Sequence, residues 1–344
     1  MEKEKTINVA IPFAEMRALY RKEPKPEYLY RGIQEKSVGL IFGPSKSGKT
    51  IFCENLLMSM SCGLPNYLDG DLAAEQKKTL MIGLEEFWIG KSSRNLKQYN
   101  SLSDEEQKLV DKNYLVQNIS FTPSVTTSSQ WNDLRELIIT SKAEVVVVDS
   151  ITRLNHGQLE DSSTAEKIMQ RLRAIATEAQ VTIICIHHTP KMLGRSITMD
   201  SIKGSSTFAQ ESDFAIGVNT TQKGNRYIKE VFYRYAPYTD EDVWEFTIEE
   251  DCWLNFETKT EEQEILNRSD RRKTDRLDKV IGFFEENKNH TYPKSKLIEI
   301  FSTDYGISKR SIGGYLSTLT SKGVISNPKH GFYTYVSAID EKKL

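Results

Sequence analysis

The segment Gly43-Pro44-Ser45-Lys46-Ser47-Gly48-Lys49-Thr50 limits what this chain can fold into more than any other feature of its 344 residues. It has the form GxxxxGK followed by Ser or Thr. An apolar run at 37–42, which reads as a buried strand, leads into it. A stretch at 50–62 with apolar Ile51, Phe52, Leu56, Leu57 and Met60 leads out and reads as a helix. A strand that passes through such a loop into a helix aims backbone N–H groups at one point and adds the positive end of the helix dipole. That is a phosphate cradle. Lys49 is placed to reach the β- and γ-phosphates of a nucleotide, and the Thr50 hydroxyl to ligate Mg²⁺. ATP and Mg²⁺ are the expected ligand and cofactor. Gly63-Leu64-Pro65 stops the helix.

Strand-length apolar runs recur at 79–82, 145–148, 181–186 and 214–218. A helical pattern at 162–179 puts Ile168, Leu172, Ile175, Ala176 and Ala179 on one face. Strands alternating with helices predict an α/β fold, a mostly parallel sheet with helices on both faces. After residue 225 the pattern turns to alternation, at 227–233 and 243–248, as expected of antiparallel hairpins at the sheet edge.

Candidate chemistry sits where these runs end. Asp149 closes the run Val145-Val146-Val147-Val148, and a carboxylate at such a strand tip is expected to hold the metal through water. Ser150 follows it rather than a glutamate, so the residue that activates water comes from elsewhere. Glu85 and Glu86 end the run that begins at Thr79. Glu85 is the expected general base, Glu86 the alternative, and a pair of solvated loop acids the bland reading. His187 and His188 end the 181–186 run and are placed to sense the γ-phosphate. The loop at 189–206 is rich in Gly, Ser and Thr and carries Lys191, Arg195 and Lys203. It is either a mobile nucleic-acid loop or merely a solvated one.

Composition narrows the class. A hydrophobic content of 38% with 27% charged residues is ordinary for a soluble globular chain. No apolar run approaches the roughly 18 residues of a membrane span, and the first ten residues lack the apolar centre of a secretory signal. Cys53, Cys62, Cys185 and Cys252 form no CxxC pair, which suits a reducing cytoplasm with no disulfide framework or zinc site. The net charge is −2, yet residues 268–344 carry 15 basic and 9 acidic side chains, +6 against −8 for the rest. A basic tail on an acidic body points to nucleic-acid contact through the C-terminus, or to chance asymmetry in a small domain.

The C-terminal stretch reads as a second unit. Residues 257–275 are polar and highly charged, a linker or an exposed helix. Short amphipathic helices follow at 277–286, 294–301 and 308–322, the last capped by Ser308 and stopped by Gly323. Strands at 324–326 and 332–336 then flank a turn. Three helices closed by a hairpin is the winged-helix pattern. Lys309, Arg310 and Ser311, at the start of the third helix, are the expected DNA contacts; protein docking through this unit is the alternative. Gly313 and Gly314 imply a close approach to backbone or a shifted helix start. The domain plan is an N-terminal segment 1–34, an ATPase domain 35–256, a linker 257–275 and a winged-helix domain 276–338.

Over about residues 30–250 these pieces resemble the RecA-like hexameric ATPases, in particular the plasmid replication helicases of the RepA type. The resemblance rests on GPSKSGKT, LMIGLEE, VVVVDS, ICIHHTPK, KGSST at 203–207 and FYRYAP. It implies ATP hydrolysis at subunit interfaces of a ring, often a hexamer around DNA. It also implies basic residues that reach the γ-phosphate from the neighbouring subunit, with Lys203 and Arg234 at the matching positions. Lys203 stands where relatives often carry Arg, and a lysine is a point charge rather than a fork. Phe232 stands where they commonly carry Lys. The leading expectation is an oligomeric ATP-driven DNA helicase of a mobile element or replication system, with slow or conditional hydrolysis left open by those two departures. The rival is an ATP-controlled DNA-binding or assembly switch that does not unwind. A small-molecule kinase is the weakest reading, because no acceptor site or lid is legible.

Overall fold

A computed structural model of the chain describes residues 10–155, 162–190, 192, 194–202, 206–221, 224–267, 271–307, 309–329 and 331–336. The larger of two units holds what is described up to Thr221 together with Arg226–Gln263. The smaller holds Gly224, Asn225 and what is described from Glu264 on.

The larger unit opens with helix α1 (Phe13–Lys22) and a small antiparallel pair, β1 (Tyr28–Tyr30) and β2 (Ile33–Gln34). Leu29, Tyr30 and Ile33 are buried, so part of the segment expected to end at residue 34 supplies core. β3 (Val38–Pro44) passes through the phosphate loop into α2 (Lys49–Cys62), which Gly63 ends in the left-handed conformation. A second small pair, β4 (Asn66–Tyr67) and β5 (Gly70–Asp71), precedes β6 (Thr79–Gly83). Next come α3 (Trp88–Asn100), α4 (Asp104–Asn113), β7 (Tyr114–Val116) and α5 (Ser128–Ser141), none of which is among the predicted elements, although α5 buries Trp131, Leu134 and Ile138 at helical spacing. The alternation resumes with β8 (Val145–Asp149), α6 (Ser162–Ala179), β9 (Thr182–Thr189), α7 (Ser206–Glu211) and β10 (Phe214–Thr220). An antiparallel meander follows, β11 (Arg226–Tyr233), β12 (Asp242–Ile248) and β13 (Leu254–Glu261).

Among the described residues these strands form one nine-stranded sheet in the order β13-β12-β11-β10-β3-β9-β8-β6-β7. From β10 to β7 all neighbours are parallel, as the α/β reading requires. Parallel strands are covered on both faces, which is why β3 and β8 are unbroken buried runs. α2 covers one face, packing Phe52, Leu56 and Met60 in one cluster with Met81, Val147 and Ile186. The pleat turns Leu40, Val146 and Ile183 to the other face, where they are equally buried. There α6 lies across β3 and β9 with Ile168, Leu172 and Ile175 inward, a spacing of four and then three residues.

β13 corrects the expected linker. Residues 257–261 continue an edge strand paired to β12 from Ile248↔Leu254 to Asp242↔Glu261, and the unit runs on through Gln263. Glu257, Lys259 and Glu261 disguise it, because an outermost strand faces water and tolerates charge.

α8 (Glu262–Asn267) begins at the boundary. The smaller unit then has α9 (Arg271–Glu286), β14 (Thr291–Pro293), α10 (Lys294–Thr303), α11 (Lys309–Ser321), β15 (Ile325–Lys329) and β16 (Phe332–Tyr335). Residues 271–275, expected as linker, belong to α9. The strands pair antiparallel in the order β14-β16-β15, over a core that includes Val280, Phe284, Phe301 and Leu316. Gly313 and Gly314 lie inside α11, which is described from Lys309, and nothing beyond the neighbouring backbone of the helix itself comes within 4 Å of a Cβ added at either. The expected close approach and shifted start are both absent among the described residues; Ser308 lies outside them. No described helix is long and apolar enough to cross a membrane. The four cysteines are free, three of them buried.

Candidate active site

β3, β9, β8 and β6 end side by side. The register pairs Gly43 with His188 and Gly83 with Asp149, so the phosphate loop, the histidine pair, Asp149 and Glu85 gather at the carboxyl ends of four adjoining strands. Ligands of open parallel sheets sit beyond the carboxyl ends of their strands. Two loop glycines are sterically required. A Cβ on Gly43 would lie 1.9 Å from the Val218 carbonyl of β10, and Gly48 sits at φ +108°, where side chains are strained.

The loop fits an anion. The Ser47 hydroxyl is buried and has no protein partner. Lys49 is 4% exposed, and its Nζ donates to the Gly43 and Pro44 carbonyls at 2.9 and 2.8 Å. Burial lowers the Lys49 ammonium to about 8, against the pull of Asp149 and Glu85. Phosphate oxygens would satisfy the hydroxyl and favour the charged ammonium against its burial. Beside it, Thr50 Oγ1 donates to Asp149 Oδ2 at 2.7 Å. Burial raises the Asp149 carboxyl to about 6 despite that bond. A hydroxyl and a buried carboxyl held together are oxygen ligands of the kind Mg²⁺ takes, and the ion's charge would favour ionised Asp149.

Glu85 is the best-held acid of the cluster. Its Oε1 accepts from Ser150 Oγ and from Thr152 Oγ1 at 2.7 Å, and its Oε2 from His188 Nε2 at 3.2 Å. Ser150 follows β8, and Thr152 lies in the short helical turn Ile151–Arg153. These donors, His188 foremost, hold the carboxyl down at about 2 against the cost of its partial burial. Glu86 is engaged elsewhere. It accepts from Arg94 Nη1 at 3.1 Å and Nη2 at 2.5 Å, and the same guanidinium grips the fully buried Glu54 of α2 at 2.7 and 2.8 Å. Neighbours in sequence, the two glutamates have different partners. The roles of Ser150, Thr152 and Arg94 are not anticipated by the sequence; the available signal is two hydroxyl residues, one and three positions after Asp149.

Residues 8–192, more than half of the chain, match the family model described as AAA domain. The chain belongs to the AAA domain family. A comparison with curated proteins returns no match. The AAA domain is a P-loop ATPase domain, and its matched span takes in the phosphate loop, Glu85, Asp149 and both histidines.

His187 is 2% exposed, with its ring 5.3 Å from that of Phe208 in α7. Arg234 pairs with Asp213 at 3.4 Å and donates to the Gln210 and Ser212 carbonyls. Asp213 in turn accepts from Val38 N at the start of β3. Arg234 therefore sits at the opposite end of β3 from the phosphate loop, about 20 Å away at the rise of a strand. Arg195 is exposed, and its Nε donates to the Met192 carbonyl at 3.2 Å. The next two residues, Ser196 and Ile197, are hydrogen-bonded to Glu262, so this part of the expected mobile loop is anchored. Lys309 is exposed at the start of α11. Lys191, Lys203 and the side chains of Arg310 and Ser311 lie outside the described residues.

Proposed function

We propose that this AAA-domain protein hydrolyses ATP with Mg²⁺ to drive an oligomeric DNA helicase of the RepA type, a hexameric ring whose active sites are completed by neighbouring subunits. The observation that carries the reading is the convergence of Lys49, Thr50, Asp149, Glu85 and His188 at four adjoining strand tips. Lys49 and the loop N–H groups hold the β- and γ-phosphates. Thr50 and Asp149 hold Mg²⁺, which supplies positive charge to the phosphates when bound. Glu85 orients the attacking water and takes its proton. A carboxyl held near 2 is a weak base. Orientation is the larger part of that work, which agrees with the slow turnover left open by Lys203 and Phe232.

His188, bonded to Glu85, reports the state of the γ-phosphate, and the ring contact of His187 with Phe208 carries that state to α7, just after Lys203. Arg234 is too far from its own phosphate loop to serve it, and its side chain is 45% exposed. Both facts support service to a neighbour's loop. The DNA side rests on the basic excess after residue 267, on exposed Lys309 and Arg195, and on the order helix–strand–helix–helix–strand–strand in the smaller unit, which suits a winged helix. Phe232 favours one rival, an ATP-controlled DNA-binding switch that does not unwind. Turnover with and without single- and double-stranded DNA, beside strand separation and a mass measurement with nucleotide, separates the two. A motor shows DNA-stimulated turnover, unwinding and a ring mass; a switch binds DNA without strand separation.

A further inference from the structure

We propose that Thr152 is a positioning residue for hydrolysis: it fixes one oxygen of Glu85 so that the other is free to take the proton of the attacking water. The inference rests on Glu85 being the base, as read above, and goes beyond it by assigning different work to the two carboxylate oxygens.

The bonds on Glu85 are unequal. Oε1 accepts from two hydroxyls, Ser150 Oγ and Thr152 Oγ1, which are themselves 2.5 Å apart. Both hydroxyls are rooted in firm backbone. Ile151 and Leu154 on either side of Thr152 are 0% and 1% exposed, and the Arg153 carbonyl accepts from Val125 N at 2.7 Å. Oε2 meets His188 at the longer distance of 3.2 Å, and that ring is 30% exposed with its Nδ1 buried and unpartnered. A histidine with one long bond and one unsatisfied nitrogen is the member of this set best able to turn. When His188 turns to the γ-phosphate, Oε2 is released while Thr152 and Ser150 keep Oε1 in place.

The step then balances. A water O–H bond breaks and its proton passes to Oε2. The water oxygen forms the new bond to the γ-phosphorus, and the bond from that phosphorus to the bridging oxygen breaks with its electron pair going to ADP. Thr152 touches none of the reacting atoms; it acts through Glu85.

Thr152→Val removes the hydroxyl and keeps the shape, while Thr152→Ser keeps the hydroxyl. Thr152→Val is expected to lower kcat by about 10- to 100-fold, the size of effect that follows from slight misplacement of a catalytic group. Its Kd for ATP should stay within about threefold, since binding is the work of the phosphate loop, and Thr152→Ser should recover most of the rate. In single-turnover measurements on a Glu85→Gln background, Thr152→Val should add less than about a twofold further loss, because the hydroxyl works through the carboxylate. If Thr152→Val shows no cooperative melting, Thr152→Ala carries the same comparison. Unchanged kcat in the folded variant, or a full further loss on top of Glu85→Gln, overturns the proposal. Inactive Glu85→Gln beside fully active Thr152→Val removes the role of Thr152 and leaves the base; normal turnover by Glu85→Gln removes the base itself.

Discussion

Glu85 and Glu86 are chemically identical and adjacent, and the sequence alone gives only their order to choose by. Their partners tell them apart: two hydroxyls and an imidazole on one, the Arg94 guanidinium on the other. Lys49→Ala is therefore expected to abolish ATP binding. Glu85→Gln should bind ATP with near-normal affinity and lose about 10²–10⁴ in turnover; near-normal turnover would shift attention to Glu86. The same bonds set a pH dependence. The carboxyl drops from 4.5 to about 2 on folding, so its contribution to stability is complete above about pH 4.5 and is lost as the pH falls toward 2. Melting curves of wild type and Glu85→Gln should converge across that window, and a constant gap would contradict the assignment. The phosphate loop, Asp149, Glu85 and His188 were legible because each ends an apolar run or fills a spaced motif. Thr152 was not, because its meaning depends on the pairing of β8 with β6, which brings distant residues together.

At the scale of elements, the strands that flank the site could be read from apolar runs, whereas α3 and α4 could not. The buried positions of α3 are Lys91 and Gln98, and α4 buries Val110 alone, so neither shows an apolar stripe. α3 is docked by charge instead, through the Arg94–Glu54 pair. β13 escaped for a related reason, an outer strand crowded with charges. Just past it, Glu262 is 4% exposed and accepts from Lys229 Nζ at 2.6 Å, Tyr227 OH at 2.7 Å, Ile197 N at 2.9 Å and Ser196 Oγ. Truncating one member of a buried ion pair leaves the other charge uncompensated, at a cost of about 3–5 kcal/mol. Glu262→Ala should lower the urea unfolding free energy by that amount. A loss under about 1 kcal/mol would mean that Lys229 finds another partner or water.

For the whole molecule, the proposed function gives ATP to the larger unit and much of the DNA contact to the smaller. Removing residues 268–344 should weaken duplex binding and flatten its dependence on salt, because the basic excess goes with them. Equal binding at every salt concentration would return the smaller unit to protein docking. The proposed function has ATP hydrolysed at a site shared between subunits, and the distance of Arg234 from its own phosphate loop makes that testable. Arg234→Ala and Lys49→Ala are each expected to be inactive, the first retaining nucleotide binding. An arginine supplied in trans is worth about 10³–10⁵ in rate in nucleotidases that use one. The decisive measurement is ATP turnover in a mixture of the two variants, with co-assembly checked by mass. Partial recovery is expected, since some interfaces then pair an intact phosphate loop with an intact Arg234; no recovery in demonstrably mixed assemblies would contradict a shared site.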